Sequence, residues 1–597
     1  MKCIKNKVIE EFEKGWLGPN KSCEFYPCHH HGQDCTYCFC PFYPCNDDDL
    51  GRSIGEKKIW DCSYCLFIHK KEVCRFVSAE VKRLAITDPD DKRLCKIFEE
   101  AKKRFYRPGR SIMVVGATSD AGKSLTAMAL CRVISDMGYS VSPLKTQNMS
   151  LNAVVTPDGC EIAMIQDLQS KAARITRVSS HVNPLLVKPI GDMRSQVLVH
   201  GKPFGEYDVT QYYDEFIPGP GRKAVEESIR YLRRSYDYLV MEGAGSPAEI
   251  NIYDKDLANM RAAEMADADC ILVINTEWGG SFAYAVGTVE LLEPEDRRRI
   301  KAILFNNLSG DTSGFKEGIA AMGKILDIPV LGVVPHISIS LPSEDSTFFR
   351  DTATIGSGRI KISVIKFPKI SNFNDIDPLY LEDTSVVFAE RPEDLDGSDA
   401  VILPGTKNVM ADLSWLRSSG IEDKLRSFLG KIPILGIDGG YQMMGDRLID
   451  KTANCETLTE MNGLGLFNII TGLDRCEGAK RVNCELLPAG GDVRGYKTGA
   501  GMVSGNDEPL FRIAGWRCVQ DEGSFDKERK LFGTCIHGLF DAPAFRKYFL
   551  SYADPSYVAS DKDFSDHIEE NIEKLADSFR SSIDMELFKI SFMEGRP

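Results

Sequence analysis

Short, uninterrupted apolar runs recur along most of the chain, bounded by Gly or Asp and separated by longer amphipathic segments. Between residues 111 and 335 these runs are IMVVGA, YLVMEGAG, CILVINT, AILFNN and VLGVVP. Such runs are typical of parallel strands that helices cover on both faces. After a break at residues 355–358, a second series reads IKISVIKFP, SVVFAE, AVILPG and IPILGIDGG. The pattern therefore predicts an α/β fold with two successive α/β domains.

The two ends of the chain lack the recurring apolar runs of the middle. Residues 1–76 are rich in Cys and His, and residues 77–107 are charged and helix-prone, which predicts a helical linker. Near the C-terminus, HIEENIEKLADSFRSSI predicts an amphipathic helix that covers an edge or a partner domain. The expected divisions are 1–76, 77–107, 108–350 and 358–597, the last including the helical tail.

Composition narrows the class of protein. The chain has 597 residues, of which 43% are hydrophobic, and 87 Asp and Glu outnumber 73 Lys and Arg to give a net charge of −14. This balance disfavours nucleic acid and anionic membranes as partners. The sequence has no apolar run long enough for a membrane span and starts without a signal-peptide pattern. We therefore expect a soluble, cytoplasmic protein.

The first apolar run leads into a phosphate-binding loop. The segment IMVVGATSDAGKSLTAMALCRVI reads as a strand, a small-residue loop and a helix, and it contains A-x-x-x-x-G-K-S. The loop residues are Ala117, Thr118, Ser119, Asp120, Ala121, Gly122, Lys123 and Ser124. Small residues let backbone N–H groups close around phosphate oxygens. Lys123 is expected to reach the outer phosphates of ATP and Ser124 to ligate Mg²⁺; the alternative is an ordinary Gly-containing turn.

Two later strand ends carry further candidates. Glu242 ends YLVMEGAG and Asn306 lies at the end of AILFNN. Ligands bind at the carboxyl ends of strands in open α/β sheets. We therefore expect Glu242 to be a second Mg²⁺ ligand and Asn306 to contact adenine. A capping carboxylate and a turn asparagine are the alternatives.

The motifs resemble one family in order and spacing. They are GATSDAGKS, KTQNMSLN, GCEIAMIQ, NPLLVKP, QVLVHG, MEGAGSPAEIN, DLANM, LPSEDS, FPKISNFNDIDPL, ILPGTKN, GIDGGYQMMG, GLGL and GTCIHGLFD. Together they resemble cobyric acid synthase over about residues 111–550. The resemblance implies a dethiobiotin-synthetase-like P-loop domain joined to a class I glutamine amidotransferase-like domain.

The resemblance also implies an activity. The family uses ATP, Mg²⁺ and glutamine to amidate four peripheral carboxylates of adenosylcobyrinic acid a,c-diamide, a corrinoid, through acyl phosphates. By the same resemblance, the nucleotide and corrinoid site is lined by Lys145, Asn148, Asn152, Glu161, Lys188, Gln196 and His200. Each of these residues has a structural polar role as its alternative.

The amidotransferase half departs from the family at its nucleophile. Where the family has a catalytic Cys at a strand-to-helix elbow, this chain has Asp438, although the partner His matches His537. A carboxylate cannot form the glutamyl thioester. A family segment resembling GYEIHMG reads GYKTGAG here, with Lys497 and Gly499 in place of Glu and His. We therefore expect an inactive glutaminase, with rescue by Cys535 as the minor alternative.

Further departures leave the substrate and the nitrogen source open. Trp278, Gly279 and Gly280 stand where the family usually has Arg-Gly-Gly, and FNNLSGD replaces an arginine-bearing segment. The alternatives are a paralogue that amidates another tetrapyrrole or polycarboxylate, and a non-catalytic nucleotide-dependent binding or metal-handling protein. Ammonia is expected from solution or from a separate glutaminase, and a homodimer is an open alternative.

The N-terminal module predicts a metal site. Its nine cysteines are Cys23, Cys28, Cys35, Cys38, Cys40, Cys45, Cys62, Cys65 and Cys74. Cys35 with Cys38 and Cys62 with Cys65 form two C-x-x-C knuckles, which predict one Cys₄ site. Zinc is the first choice and an iron–sulfur cluster the second; disulfides or unligated core cysteines are the remaining alternatives.

Overall fold

The computed structural model describes residues 2–23, 26, 28, 32–54, 58–62, 65–191, 193–277, 279–310, 315–342, 354–450, 459–473, 478–498, 501–514 and 519–594. None of the helices in these ranges is long and apolar enough to cross a bilayer. The chain folds into an N-terminal cysteine-rich unit and two α/β units, as expected.

The N-terminal unit consists of α1 (Lys2–Lys14), β1 (Arg52–Ile54), β2 (Ile59–Asp61), α2 (Lys71–Arg83) and α3 (Arg93–Phe105). Helices α2 and α3 cover most of the charged segment 77–107, which was expected to be a helical linker, but they pack into the N-terminal unit. Val77 and Val81 of α2 and Ile97 and Phe98 of α3 are buried in one core with Tyr37 of the cysteine-rich segment. Their helical spacing puts these apolar side chains on one face of each helix, so the helices complete the core of this unit.

The first α/β unit is built on a six-stranded parallel sheet in the order β14-β13-β12-β3-β11-β4, with a four-stranded sheet β10-β9-β8-β5 beside it. Its strands are β3 (Arg110–Gly116), β4 (Val141–Lys145), β5 (Gln147–Met149), β6 (Ala153–Val155), β7 (Glu161–Ala163), β8 (Leu185–Gly191), β9 (Arg194–Val199), β10 (Lys202–Asp208), β11 (Tyr238–Glu242), β12 (Asp269–Asn275), β13 (Ile300–Leu308) and β14 (Val330–Pro335). Its helices are α4 (Lys123–Asp136), α5 (Met164–Ala172), α6 (Val209–Gln211), α7 (Arg222–Ser235), α8 (Met260–Met265), α9 (Ser281–Leu291), α10 (Pro294–Arg297) and α11 (Phe315–Leu326).

The second α/β unit has a seven-stranded sheet in the order β15-β17-β16-β18-β19-β29-β28, parallel except at its two edges. Its strands are β15 (Thr354–Ile355), β16 (Ile360–Ile365), β17 (Thr384–Ala389), β18 (Ala400–Leu403), β19 (Ile434–Ile437), β20 (Arg447–Asp450), β21 (Thr459–Asn462), β22 (Ile469–Gly472), β23 (Lys480–Leu486), β24 (Asp492–Lys497), β25 (Met502–Gly505), β26 (Phe511–Ala514), β27 (Val519–Glu522), β28 (Ser524–Asp526) and β29 (Leu531–Thr534). Its helices are α12 (Val409–Ser418), α13 (Ile421–Ser427), α14 (Gly439–Met443) and α15 (Pro543–Ala553).

The C-terminal segment returns to the first α/β unit. It contains α16 (Phe564–Ser582) and α17 (Met585–Phe588), and α16 packs against α4 and β14. Ile568, Ile572 and Leu575 of α16 are buried in the same core as the six-stranded sheet. The predicted amphipathic helix therefore follows the second unit in sequence but belongs to the core of the first.

Candidate functional site

The phosphate-binding loop connects β3 to α4 at the carboxyl edge of the six-stranded sheet. Asp120 and Gly122 take positive φ values of 55° and 91°. A side chain at Gly122 would put its Cβ 2.0 Å from Nδ2 of Asn306, so this position requires Gly. Lys123 Nζ donates to the carbonyl oxygens of Thr118 and Gly245, each at 2.9 Å. The loop is thus closed around its lysine.

Glu242 is the centre of this site. It ends β11, is 1% exposed, and accepts a hydrogen bond from Ser124 Oγ to Oε1 at 2.6 Å. Lys145 Nζ lies 3.0 Å from the same oxygen. Gln169 Nε2 donates to Oε2 at 2.6 Å. The structure therefore brings together Ser124, Lys145 and Glu242, and adds Gln169 of α5.

Two asparagines near the ends of neighbouring strands donate hydrogen bonds to backbone carbonyls of the loop. Asn306 Nδ2 donates to the carbonyl of Ala121 at 3.1 Å, and Asn275 Nδ2 donates to the carbonyl of Asp120 at 3.1 Å. The adenine contact expected of Asn306 remains a prediction. Sequence reasoning missed Asn275 and Gln169. The end of the run CILVIN was a usable signal for Asn275, whereas Gln169 carries no sequence signal because it lies inside a helix.

The other expected corrinoid-site residues lie on or beside the four-stranded sheet. Lys188 of β8 and Glu161 of β7 form a buried ion pair, and Gln196 lies opposite Lys188 on β9. His200 Nε2 instead contacts Ser228 Oγ at 2.9 Å.

The asparagines of KTQNMSLN are buried. Asn148 is 1% exposed and Asn152 is 0% exposed, and the backbone carbonyl of Asn152 accepts from Met164 N at 3.1 Å. Trp278 lies outside the described residues, whereas Gly279 and Gly280 both take positive φ. The roles of these residues toward substrate remain predictions.

The nucleophile elbow is present in the second unit. Asp438 connects β19 to α14 with φ 48° and ψ −115°, a strained backbone for any side chain. The following turn needs Gly because a Cβ on Gly440 would lie 2.0 Å from the carbonyl oxygen of Leu403. Burial raises the pKa of Asp438, although His537 and Lys407 oppose this. The elbow has kept its backbone with a carboxylate at its apex.

His537 stands beside this carboxylate and is 1% exposed. Its Nδ1 contacts Asp375 Oδ2 at 2.7 Å, and its Nε2 lies 3.8 Å from Asp438 Oδ2. Burial lowers the pKa of His537, but the carboxylates of Asp375 and Asp438 outweigh it and raise the pKa above its ordinary value. Asp375 was not expected from the sequence, where SNFNDIDPL was noted only as a family motif.

The other residues that replace family groups lie nearby. Lys497 Nζ is 3.9 Å from Oε1 of buried Glu522, and Cys535 N donates to the same oxygen at 2.8 Å. Burial, with Glu522 and Asp438 adding to it, raises the pKa of the Cys535 thiol well above its ordinary value. A buried thiol beside carboxylates is a poor nucleophile. This disfavours the alternative in which Cys535 replaces the missing catalytic cysteine. Gly499 lies outside the described residues.

The elbow adjoins the first α/β unit. Tyr496 stacks on the His537 ring at 5.2 Å, and its hydroxyl donates to the carbonyl of Ala153 in β6 at 3.0 Å. Asn372 Nδ2 donates to the same carbonyl at 3.0 Å. Burial and the nearby Lys188 lower the pKa of Lys407 to about 8, despite Glu161 and Asp438. Groups from both units therefore share one electrostatic environment at the elbow.

The cysteine module carries both knuckles of the predicted Cys₄ site. Within the described ranges, no three His, Cys, Asp or Glu side chains converge as a metal site. The two knuckles face different neighbours: burial raises the pKa of Cys38 to about 11, and Glu11 adds to this with Cys35, Cys28 and Cys23. Burial likewise raises the pKa of Cys65 to about 12, with Cys62 and Cys45 adding to it. Each knuckle thus has its own thiol neighbours, and the predicted pairing of the two in one Cys₄ site stays a prediction.

The cysteines thus form two groups. The first contains Cys23, Cys28, Cys35 and Cys38, and Gln33 Nε2 contacts Cys28 Sγ at 2.9 Å and Cys35 Sγ at 3.8 Å. The second contains Cys40, Cys45, Cys62 and Cys65, which line one cavity of about 380 Å³ together with Cys38. Cys74 belongs to neither group, since it is fully buried and its Sγ donates to the carbonyl of Ile68 at 2.8 Å.

Family models match all three units. The model described as "CobQ/CobB/MinD/ParA nucleotide binding domain" matches residues 112–346, and "CobB/CobQ-like glutamine amidotransferase domain" matches residues 361–545. "Cysteine-rich small domain" matches residues 15–90. The fold and its two edge sites therefore define a nucleotide-binding α/β domain joined to a glutamine amidotransferase-like domain.

Full-length relatives narrow this class to one family. "Probable cobyric acid synthase" of Methanosphaera stadtmanae is 40% identical over 497 residues, covering 80% of this chain and 98% of that protein. The namesake of Methanothermobacter thermautotrophicus is 40% identical over 511 residues, covering 81% and 99%. "Cobyric acid synthase" of Clostridium acetobutylicum is 37% identical over 497 residues, covering 81% and 99%. The chain belongs to the cobyric acid synthase family, which confirms the resemblance.

Proposed function

We propose that this protein amidates peripheral carboxylates of adenosylcobyrinic acid a,c-diamide with ATP, as a ligase of cobalamin biosynthesis. The observation that carries the proposal is buried Glu242, which gathers Ser124 of the phosphate-binding loop, Lys145 and Gln169 around one carboxylate. Family membership supports the corrinoid substrate. The reaction transfers the γ-phosphoryl group to a carboxylate, ammonia attacks the acyl phosphate, and phosphate leaves.

The residues at this edge fit a magnesium ion. Mg²⁺ prefers oxygen ligands, one or two of them from protein, together with phosphate oxygens, and Ser124 Oγ and Glu242 Oε1 are already 2.6 Å apart. When bound, the ion neutralises charge on the transferred phosphoryl group. Lys123 of the loop also neutralises this charge, and its ammonium group donates hydrogen bonds to two carbonyl oxygens. Lys145 Nζ lies 3.0 Å from the Glu242 carboxylate and balances its charge.

The nitrogen donor in this proposal is ammonia rather than glutamine. Asp438 cannot form a thioester, and the thiol of Cys535 is buried beside Glu522. The elbow nevertheless retains the His537–Asp375 contact that orients the imidazole. Ammonia then comes from solution or from a separate glutaminase.

The test is mass spectrometry of cobyrinic acid a,c-diamide after incubation with the protein, ATP, Mg²⁺ and either ammonium or glutamine. We expect added amide groups and ADP with ammonium and none with glutamine alone. Glutamine-dependent product would overturn the inactive-glutaminase part. If other tetrapyrrole acids react while the diamide does not, the paralogue alternative is correct. If no ADP is released with any of these acids and ammonium, the non-catalytic alternative is favoured.

A thiolate-bound metal, preferably zinc, in the N-terminal unit is a second part of the proposal. Its support is the donor chemistry of the two cysteine groups, since four thiolates suit Zn²⁺ or an iron–sulfur cluster, rather than an assembled coordination sphere. Elemental analysis of the purified protein tests it: we expect bound metal that falls in Cys65→Ser and persists in the control Cys74→Ser. Protein that is free of zinc and iron after metal-replete expression would refute it.

A further inference from the structure

The elbow contains an unusual pair of facing acceptors. His537 Nδ1 lies 2.7 Å from the Asp375 carboxylate and carries the hydrogen of that bond, so that in the neutral imidazole Nε2 has a lone pair. Nε2 is buried, and nothing in the described part of the chain forms a hydrogen bond with it. It faces Asp438 Oδ2 at 3.8 Å. Two acceptors at this separation are too far apart to bond directly and need a donor between them.

The surroundings favour a cationic donor. Asp438 is 6% exposed, and among the described residues its single ion-pair partner within 4.0 Å is His537. The charged groups that act most strongly on His537 are Asp375, Asp438 and Lys407, two carboxylates against one ammonium group. Asp377 is also buried, and its pKa is raised well above the ordinary value by burial and by Asp541 and Asp375. A small cation with several N–H bonds fits this setting better than an anion or an apolar group.

Ammonium has the required size, charge and donors. Hydrogen bonds of about 2.8 Å from one nitrogen to both Asp438 Oδ2 and His537 Nε2 are compatible with a separation of 3.8 Å. A water molecule also offers two donors, but it carries no charge to balance the carboxylate. We propose that the elbow binds free ammonium between Asp438 and His537, so that the former glutaminase site captures the nitrogen donor.

The same arrangement prepares the nucleophile. One N–H bond of ammonium breaks and its proton moves to His537 Nε2, forming imidazolium and neutral ammonia, while the nitrogen keeps the electron pair. Asp375 and Asp438 stabilise the imidazolium. Ammonia, unlike ammonium, has the lone pair that attacks an acyl phosphate. Asp438 thus has the role of a binding group at the position where the family has a nucleophile.

This inference rests on the proposed function, and the experiment separates the two. Amide formation is measured against ammonium chloride at fixed pH and ionic strength for the wild type, Asp438→Asn and Asp438→Glu. The matched control is Asp423→Asn, an exposed residue of α13 in the same unit. We expect Asp438→Asn to raise KM for ammonium about tenfold or more with KM for ATP unchanged, because a charged hydrogen bond is lost. The KM for ammonium of Asp438→Glu should lie between those of the wild type and Asp438→Asn, and that of Asp423→Asn should equal the wild-type value.

A binding measurement removes the dependence on activity. The unfolding midpoint is compared in ammonium chloride and in tetramethylammonium chloride, which cannot donate hydrogen bonds. Ammonium should raise the midpoint of the wild type and of Asp423→Asn more than that of Asp438→Asn. Equal KM and equal midpoint shifts in Asp438→Asn and the wild type would overturn the ammonium site. Absence of amidation in the wild type with an intact midpoint shift would instead reject the proposed function and leave the site standing.

Discussion

The two α/β units have the same strand–turn–helix arrangement at their sheet edges, but the buried carboxylates there differ in their hydrogen-bond partners. In each, a buried parallel strand enters a turn with positive φ and then a helix, at Asp120 and Gly122 in the first and at Asp438 in the second. In the first unit the buried carboxylate, Glu242, meets Ser124 and Gln169 as donors. In the second, Asp438 Oδ2 lies 3.8 Å from His537 Nε2, which has no hydrogen-bond partner among the described residues. The first site is therefore saturated with donors, whereas the second is not.

This difference shows which features of a site persist independently of its chemistry. The elbow backbone depends on Gly440, whose Cα lies against the backbone of Leu403, and on the core around β19. An Asp at the apex is compatible with this backbone, since Asp tolerates positive φ better than most residues. The glutaminase chemistry, by contrast, depends on one sulfur atom. We therefore expect the fold of the elbow to persist even where its glutaminase activity is lost.

The largest expected effect is at the saturated site. Lys123→Met removes the ammonium group held by Thr118 and Gly245 and should reduce ATP-dependent amidation about 10²- to 10³-fold, as loss of a preorganised charge does. ADP release with ammonium and the diamide measures it. Lys324→Met, at an exposed position of α11, is the control. Retention of more than a tenth of the activity in Lys123→Met would contradict the role given to this loop.

The second prediction concerns the elbow. Asp438→Cys restores the family nucleophile, yet we expect no glutamine-dependent amidation, because Lys497 and Gly499 still replace the family Glu and His. It should also lose affinity for ammonium. The readout is glutamate release from glutamine, with ammonium-dependent turnover as the check that the variant is folded.

A triple variant sharpens this prediction. Asp438→Cys combined with Lys497→Glu and Gly499→His should release glutamate if the two departures together account for the inactivity. Activity in Asp438→Cys alone would show that the second departure is harmless. Continued inactivity in the folded triple variant would mean that further residues have changed.

Much of the fold was predictable because buried parallel strands leave a strong local pattern. The runs IMVVGA and ILGI correspond to β3 and β19, and both α/β units follow from them. The packing of segments distant in sequence left no such pattern. Helix α16 follows the second unit but buries Ile572 in the first, and α3 looked like a linker although Ile97 is a core residue. Amphipathicity predicts that a face is covered, not what covers it.

The sites show the same limit. Lys123, Ser124 and Glu242 could be predicted because strand ends and loop spacing place them at one edge. Gln169 and Asp375 could not, since each reaches its site from an element far away in the chain. The cysteine groups show a related limit: spacing identifies a knuckle but not the second pair that joins it, and Cys35 and Cys65 have different neighbours.

The third prediction tests how the saturated site is supported. Arg132 of α4, the helix that follows the phosphate-binding loop, is fully buried and donates to Glu569 of α16 at 2.6 and 2.9 Å, and also to Glu573. Arg132→Met should lower the free energy of unfolding by about 2 kcal/mol, the value of charged hydrogen bonds. Arg580→Met, which removes part-exposed ion pairs to Asp577 of α16 and Asp136 of α4, should cost less than about 1 kcal/mol. Denaturant titration measures both, and equal effects would mean that α16 is not held by Arg132.

The last prediction concerns the two lysines nearest these carboxylates. Lys145 lies 3.0 Å from Glu242, whereas burial and Lys188 lower the pKa of Lys407 from an ordinary 10.5 to about 8. Between pH 8 and 10.5 the unfolded chain then holds a proton that the folded protein has released, so stability rises with pH across this window. Below pH 8 both states are protonated and the penalty is constant.

Lys407→Met should therefore be more stable than the wild type at pH 7, and this advantage should shrink as pH rises from 8 to 10.5. The measurement is the difference in unfolding free energy between variant and wild type at each pH. Lys527→Met, at an exposed position of the same unit, is the control and should show no such trend. A difference that stays flat through the window would mean that folding does not lower the pKa of Lys407, and the contrast between a saturated and an unsaturated site would then rest on Asp438 and His537 alone.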